Sequence, residues 1–164
     1  MWGKTDDVIV RTLPDGRPFL FASWQELWGT RSQSEIEAHS NFSRLDTTMK
    51  AMQRLAIERN VRVTILIMPT KGQVYRWVLD ERPAMPADAL SSGFALAVLG
   101  ECHRIRLRCF DIKGFLAAEA IRLYQSSEEV LWWRDDTHLS DRGHEAVARF
   151  IAREILMTEL RPAQ

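Results

Sequence analysis

The sequence has few cysteines, no imbalance of charge and no long apolar run. Cys102 and Cys109 are its only cysteines, too few for the disulfide framework of a small secreted domain, and we predict free, buried thiols. Lysine and arginine together number 22, as do aspartate and glutamate, and the two signs are interspersed. The basic surface that nonspecific nucleic-acid binding needs is therefore missing, so DNA and RNA are not expected partners.

No apolar run approaches the ~20 residues that a membrane-spanning helix requires. The N-terminal segment 1–7 lacks the cationic and apolar regions of a secretory signal. As written, the chain is therefore predicted to be cytoplasmic. If an N-terminal portion is missing, we expect a periplasmic or membrane-associated protein instead. A length of 164 residues, 46% of them hydrophobic, predicts a single domain spanning 1–164 with its own core.

Segments with strand and helix patterns alternate along the chain. A Pro-Asp-Gly turn predicts a hairpin near the N-terminus. An apolar stripe predicts a long helix with one buried face, formed by Leu45, Met49, Met52 and Ala56. Whether that helix breaks near Ser40-Asn41 is left open. The predicted elements are a hairpin at 8–12 and 18–22, a helix at 34–59, a strand at 61–68, a short helix at 74–79, a connector at 81–87, a helix at 88–103, a strand at 106–112, a helix at 115–125, a strand at 130–133 and a final helix at 145–160 capped by Ser140.

Alternation of this kind predicts an α/β fold in three layers, a flavodoxin-like parallel sheet flanked by helices. Ligands of such sheets bind beyond the carboxyl ends of the strands. Three polar segments follow predicted strands: Thr70-Lys71, Asp111 and the loop 134–138. We therefore expect them to meet at one crevice.

The segment Asp135-Asp136-Thr137-His138 places two carboxylates within three residues of a histidine. A carboxylate that accepts a hydrogen bond from Nδ1 fixes the imidazole tautomer and stabilises the imidazolium, which leaves Nε2 free to accept a proton. Such a loop is typical of an oriented general base. Trp132 and Trp133 precede it, and in an extended segment one indole would face the core and the other the solvent or a cleft.

The chain resembles the SGNH or GDSL hydrolase superfamily, and within it the alginate O-acetyltransferase-like proteins. Residues 67–75, Ile-Met-Pro-Thr-Lys-Gly-Gln-Val-Tyr, are similar to the strand-Pro-x-Lys-x-x-Val-Tyr segment of these proteins. Residues 135–138 with Gly143-His144 are similar to their terminal Asp-Thr-His block. The likeness runs from about Phe19 to the last helix and implies a single, partial SGNH hydrolase-like domain that lacks the nucleophile segment.

The resemblance implies an ester hydrolase or O-acyltransferase that acts on an acyl ester or an acetylated carbohydrate and needs neither cofactor nor metal. His138 corresponds to the family's general base. Ordinary members place the supporting aspartate three residues before it, at Asp135, and acetyltransferase-like members two before, at Asp136. We favour Asp136, because the whole Asp-Thr-His string matches. Lys71 and Trp133 are the candidate substrate-binding residues, with a solvated loop lysine and a packing indole as the alternatives.

The family's Gly-Asp-Ser nucleophile motif and its Gly-x-Asn-Asp element are absent from this sequence, and Leu139 stands where relatives commonly carry Trp or Pro. The resemblance thus implies the C-terminal half of a family domain, inactive alone. Ser23 follows the apolar run 19–22, but neither glycine nor aspartate precedes it, and a turn serine is the favoured interpretation.

Two alternatives to an esterase remain open at the level of sequence. An incomplete sheet would expose an edge and an apolar face, so the chain could be a noncatalytic remnant, an interaction module or a homo-oligomer. His138, His144 and the two aspartates could imitate a metal site, although a closed site needs a further ligand from elsewhere. His144 is otherwise expected to brace the loop through a hydrogen bond.

Overall fold

A computed structural model describes residues 7–82 and 90–156. Strands β1 (Val8–Thr12) and β2 (Pro18–Ala22) form the predicted antiparallel hairpin, in a register that pairs Val8 with Ala22. Gly16 adopts a φ of 82° in the intervening turn, a conformation that glycine reaches without a Cβ clash. Strand β2 points Phe19 and Phe21 into the core. The hairpin prediction is therefore confirmed.

The long helix predicted at 34–59 is two helices, α2 (Gln33–Glu37) and α3 (Phe42–Arg59), which follow α1 (Ser23–Gly29). A capping box between Ser32 and Glu35 starts α2. The break covers residues 38–41, the position that the sequence left open. Met49 and Ala56 of α3 are buried, whereas Met52 is 38% exposed, so the buried face of α3 is narrower than predicted.

Strand β3 (Thr64–Ile67) pairs in parallel with β4 (Arg108–Asp111), and these two strands are shorter than predicted. Helices α4 (Lys71–Val74), α5 (Arg76–Leu79) and α6 (Gly93–Ile105) lie between them in the chain. In the described part of the chain, each of the two sheets has two strands. The predicted strand at 130–133 is instead a single antiparallel bridge between Trp132 and Leu139. The α/β character stands, but the three-layer parallel sheet is not formed by these residues.

The remaining helices are α7 (Lys113–Ser127), α8 (Asp141–Phe150) and a π-helical turn, Ile151–Leu156, that continues α8. Ser140 caps α8 by accepting a hydrogen bond from the Gly143 amide, as predicted. Helix α6 begins later than expected, because Ser92 caps it and Gly93 is its first residue. The predicted connector at 81–87 falls mostly on 83–89, outside the described residues, as do the first residues of the helix predicted at 88–103 and the end of the helix predicted at 145–160.

The two cysteines form a disulfide, which corrects the prediction of free thiols. Cys102 lies in the last turns of α6 and Cys109 in β4. Arg106 ends α6 in the left-handed conformation, at φ 58°, so the chain reverses and β4 returns alongside the helix. That reversal brings together two cysteines that are seven residues apart.

Two apolar clusters make up the core. The larger one joins the hairpin to α4, α5, α7 and α8, and the smaller one lies between α3, α6 and the strands β3 and β4. Within the described ranges, no helix is both long and apolar enough to span a membrane.

Candidate active site

The loop that carries His138 is a short hairpin. Trp132 and Leu139 form its bridge, and the amide of Trp133 donates to the carbonyl oxygen of His138 over 3.1 Å. Side chains alternate between the two faces of paired strands. Trp132 is therefore buried, at 3% exposed, whereas the Trp133 residue is 50% exposed and the His138 side chain 80% exposed. His138 and Trp133 thus share the solvent face, and the predicted division of the two indoles holds.

Asp136 is the carboxylate that contacts His138. Its Oδ1 lies 2.9 Å from Nδ1 of the imidazole, and this hydrogen bond lowers the pKa of Asp136. Asp135 makes no such contact and is exposed. Among the described residues, Nε2 of His138 has no hydrogen-bond partner. Asp136 therefore orients the imidazole through Nδ1, and Nε2 is left available to accept a proton.

Contacts behind the loop fix its base to the core. The buried hydroxyl of Tyr75 accepts a hydrogen bond from the Leu131 amide over 2.8 Å, and Ser140 Oγ donates to the Val130 carbonyl over 2.7 Å. Gly143 of α8 packs so closely against the backbone of Leu131 that a Cβ at this position would lie 2.1 Å from the Leu131 carbonyl oxygen. The hairpin thus rests on helices α4 and α8.

Lys71 lies beneath the same loop, 1% exposed. Its ammonium donates to the carbonyl oxygens of Trp133 at 2.6 Å, Arg134 at 3.0 Å and Asp136 at 3.0 Å. The nitrogen also lies 3.8 Å from the centroid of the Phe19 ring. Burial lowers the pKa of Lys71 to about 7. Lys71 is therefore neither a solvated lysine nor one that faces an open crevice.

A groove of about 790 Å³ runs along one side of the loop. Trp133, Arg134 and Asp135 line it from the loop, together with residues from the start of β2, the segment 127–130 and the first turns of α8. The groove therefore combines an exposed indole with charged side chains of both signs.

A separate pocket of about 290 Å³ lies beyond the carboxyl ends of β3 and β4. Thr70 and Asp111 line this pocket, together with Lys113 and the apolar Ile67 and Phe94. The predicted meeting of three polar segments at one crevice is therefore only partly correct. Thr70 caps α4, and the side chain of the next residue, Lys71, extends toward the histidine loop instead.

A family model described as the SGNH hydrolase-like domain of acetyltransferase AlgX matches residues 19–164. The chain belongs to this family. No curated protein and no solved structure matches the sequence significantly. The match begins at Phe19, where the resemblance noted from the sequence also begins. Membership of the AlgX-like SGNH family agrees with the α/β character of the structure, and the roles of individual residues stay predictions.

Within residues 7–82 and 90–156, no serine hydroxyl is hydrogen-bonded to the His138 ring. Ser23 is the first residue of α1 and directly follows β2, as expected for a serine after a strand. The described residues show no hydrogen bond between its hydroxyl and His138. The position of Ser23 after a strand is therefore the only support for Ser23 as a nucleophile among the described residues.

His144 lies on the exposed side of α8, and in the described part of the chain its ring makes no hydrogen bond to the loop. The expected bracing role is therefore not seen; Ser140, Tyr75 and Lys71 hold the loop. Across residues 7–82 and 90–156, no three histidine, cysteine or acidic side chains cluster as a metal site would require. The sequence did not predict that Tyr75 and Lys71 contact the loop. Both residues are more than 50 positions away from the loop residues that they bind.

Proposed function

We propose that this protein contributes the aspartate and histidine of an SGNH-type catalytic triad for ester hydrolysis or O-acetyl transfer. The observation that carries the proposal is the 2.9 Å contact between His138 Nδ1 and Asp136 Oδ1 on an exposed loop. Family membership supports the reaction class. Asp136 acts as the orienting carboxylate, and Asp135 takes no part in the dyad.

In the proposed reaction, a serine hydroxyl attacks the acyl carbonyl carbon while Nε2 of His138 accepts the serine proton. The imidazolium then returns the proton to the leaving alcohol oxygen, and an acyl-serine forms. Water or an acceptor hydroxyl attacks this ester in the second half-reaction, with His138 as the base again. Asp136 stabilises the imidazolium in both steps and keeps its own negative charge.

The serine is proposed to come from a segment other than those described here, in the same or another polypeptide. Such a segment would also supply most of the oxyanion donors. We propose that it completes a three-layer parallel sheet to which β3 and β4 contribute two strands. Removal of a nucleophile costs on the order of 10⁶ in rate, so this chain alone is expected to lack esterase activity.

The proposed substrate is an acetylated carbohydrate or a related acyl ester, bound in the groove beside the loop. Trp133 is half exposed and lines that groove, and it shares the solvent face of the hairpin with His138, which lies outside the groove lining. Aromatic faces suit the apolar faces of sugar rings. Arg134 and Asp135 line the same groove and could hydrogen-bond sugar hydroxyls.

A hydrolysis assay with p-nitrophenyl acetate tests the proposal in two parts. The chain alone should release nitrophenolate no faster than its H138A variant. A polypeptide that also contains a Gly-Asp-Ser segment, as read from the flanking DNA, should hydrolyse the ester, and H138A should abolish that activity. Turnover by the chain alone that depends on His138 would contradict the missing-nucleophile part.

A noncatalytic interaction module is the second candidate. Trp24 and Leu27 are exposed on α1, at 55% and 72%, and both sheets have only two strands in the described residues. Exposed apolar side chains of this size favour association, including with a second copy of the chain. Light scattering that shows a clean monomer at high concentration would count against this candidate.

We propose that the protein resides in the periplasm, which is oxidising, and not in the cytoplasm. Disulfides persist in the periplasm and outside the cell and are rare in the reducing cytosol. The bond between Cys102 and Cys109 supports this location. Alkylation of the protein in intact cells, followed by mass analysis, would detect free thiols if it resides in the cytosol.

A further inference from the structure

The surroundings of Lys71 satisfy its ammonium completely. A protonated lysine has three N–H donors, and three carbonyl oxygens of the histidine loop lie within 3.0 Å of Nζ. The face of Phe19 covers the nitrogen at 3.8 Å, and Phe21 lies at 5.7 Å. No donor remains for a substrate anion. The ammonium therefore acts on the protein's own backbone.

The three carbonyls belong to residues that the dyad depends on. Trp133 pairs with His138 across the hairpin, and Asp136 carries the carboxylate that orients the imidazole. Three convergent carbonyl dipoles repel one another unless a cation lies between them. The ammonium supplies that cation, and as a point charge on a flexible stem it can direct its three donors separately.

We infer that Lys71 is a positioning residue that folds the backbone of residues 133–136 around its ammonium and thereby sets the contact between Asp136 and His138. Its catalytic consequence rests on the proposed function of the dyad, but its geometric effect does not. Lys71 does not touch substrate. It acts through the loop, from the first residue of α4, where Thr70 and Gln73 form a capping box that fixes the start of the helix.

The role can be tested without turnover, by NMR of the imidazole nitrogens and of backbone amides. In wild type, the hydrogen bond to Asp136 favours the Nδ1–H tautomer of neutral His138. Lys71→Met keeps the stem and removes Nζ with all of its N–H donors, so the variant lacks these contacts to the loop at any pH. We expect the Nδ1–H tautomer to lose its majority in this variant, and the Trp133 amide to exchange with solvent at least tenfold faster.

Lys113→Met is the matched control. Lys113 is also buried, at 5% exposed, and its ammonium donates to the Leu90 carbonyl, outside the histidine loop. This variant should keep the tautomer and amide exchange of wild type. A folded Lys71→Met protein with an unchanged tautomer and unchanged Trp133 exchange would overturn the inference.

If Lys71→Met does not fold, wild type itself supplies the decisive measurement. Below pH 7, where Lys71 is protonated, couplings across hydrogen bonds should connect its Nζ with the carbonyl carbons of Trp133, Arg134 and Asp136. Their absence, with ammonium protons that exchange as fast as those of a surface lysine, would overturn the inference. Because neither readout needs a nucleophile, a failed esterase assay would leave this result standing, and the two failures are distinguishable.

Discussion

Nδ1 of His138 lies 2.9 Å from Oδ1 of Asp136, while Asp135, one residue closer to the start of the loop, lies outside this contact and lines the groove. The hairpin explains the difference. Its paired strands direct His138 and Trp133 to the solvent face, and Asp136 turns back within the loop to meet the imidazole. The two neighbouring carboxylates therefore have different surroundings.

D136A should shift neutral His138 from the Nδ1–H tautomer toward the Nε2–H tautomer that free imidazole prefers. The carboxylate that accepts the Nδ1 proton is lost in this variant. D135A is the matched control, because it removes an adjacent charge without touching the hydrogen bond. Nitrogen chemical shifts of the neutral imidazole measure the populations. Equal shifts in the two variants would contradict the choice of Asp136.

The stability of wild type should rise with pH relative to K71M between about pH 7 and pH 10. Burial lowers the pKa of Lys71 from 10.5 to about 7, so in this window the unfolded chain binds more protons than the folded one. Below pH 7 burial of the Lys71 charge lowers the free energy of unfolding by its maximum amount, and this loss disappears as the pH rises to 10.5. Asp135 and Asp136 favour the charged form, and Arg134 opposes it.

Urea unfolding of both proteins at several pH values measures this difference. The expected slope is at most ~1.4 kcal/mol per pH unit, the value for one proton. K113M, which leaves Lys71 in place, should follow wild type. Parallel pH profiles for wild type and K71M would show that the folded protein keeps the Lys71 proton throughout.

Reduction of the Cys102–Cys109 disulfide should lower the free energy of unfolding by about 2 kcal/mol, because the bond closes a short loop in the unfolded chain. Urea unfolding with and without dithiothreitol measures the loss. The double variant C102S and C109S should be insensitive to dithiothreitol. Alkylation of two thiols in the unreduced, urea-unfolded protein would contradict the disulfide.

G143A should destabilise the protein by about 1–3 kcal/mol, since the added Cβ would lie 2.1 Å from the carbonyl oxygen of Leu131. G100A is the control within α6, where the nearest neighbour of the new methyl is a side-chain nitrogen at 3.9 Å. Alanine there should stabilise the helix by roughly 0.5–1 kcal/mol. Thermal unfolding of both variants compares the two effects, and equal losses would argue against the close packing of α8 on the loop.

The sequence correctly predicted the features that depend only on residues close to one another in the chain. The Pro-Asp-Gly turn predicted the hairpin, Ser140 predicted the start of α8, and the pairing of Asp136 with His138 spans only two residues. The break between α2 and α3 was the one boundary left open. These features need no information about distant parts of the chain.

Long-range contacts account for what the sequence did not predict. Lys71 reaches carbonyls that are 62 to 65 residues away, and nothing in its neighbourhood indicates that direction. The residues predicted as a strand at 130–133 are anchored by Tyr75 and Ser140 rather than by a parallel neighbour. The disulfide depends on the left-handed turn at Arg106, which a count of cysteines cannot show.

The most direct test of the proposed function is acetyl-ester hydrolysis by a polypeptide that unites this chain with a Gly-Asp-Ser segment. H138A should lower kcat/KM by at least about 10³-fold, and H144A, at an exposed histidine that makes no contact with Asp136, should leave it unchanged. This chain alone should not exceed the rate of its own H138A variant. Activity that survives H138A, or His138-dependent activity of the chain alone, would contradict the account.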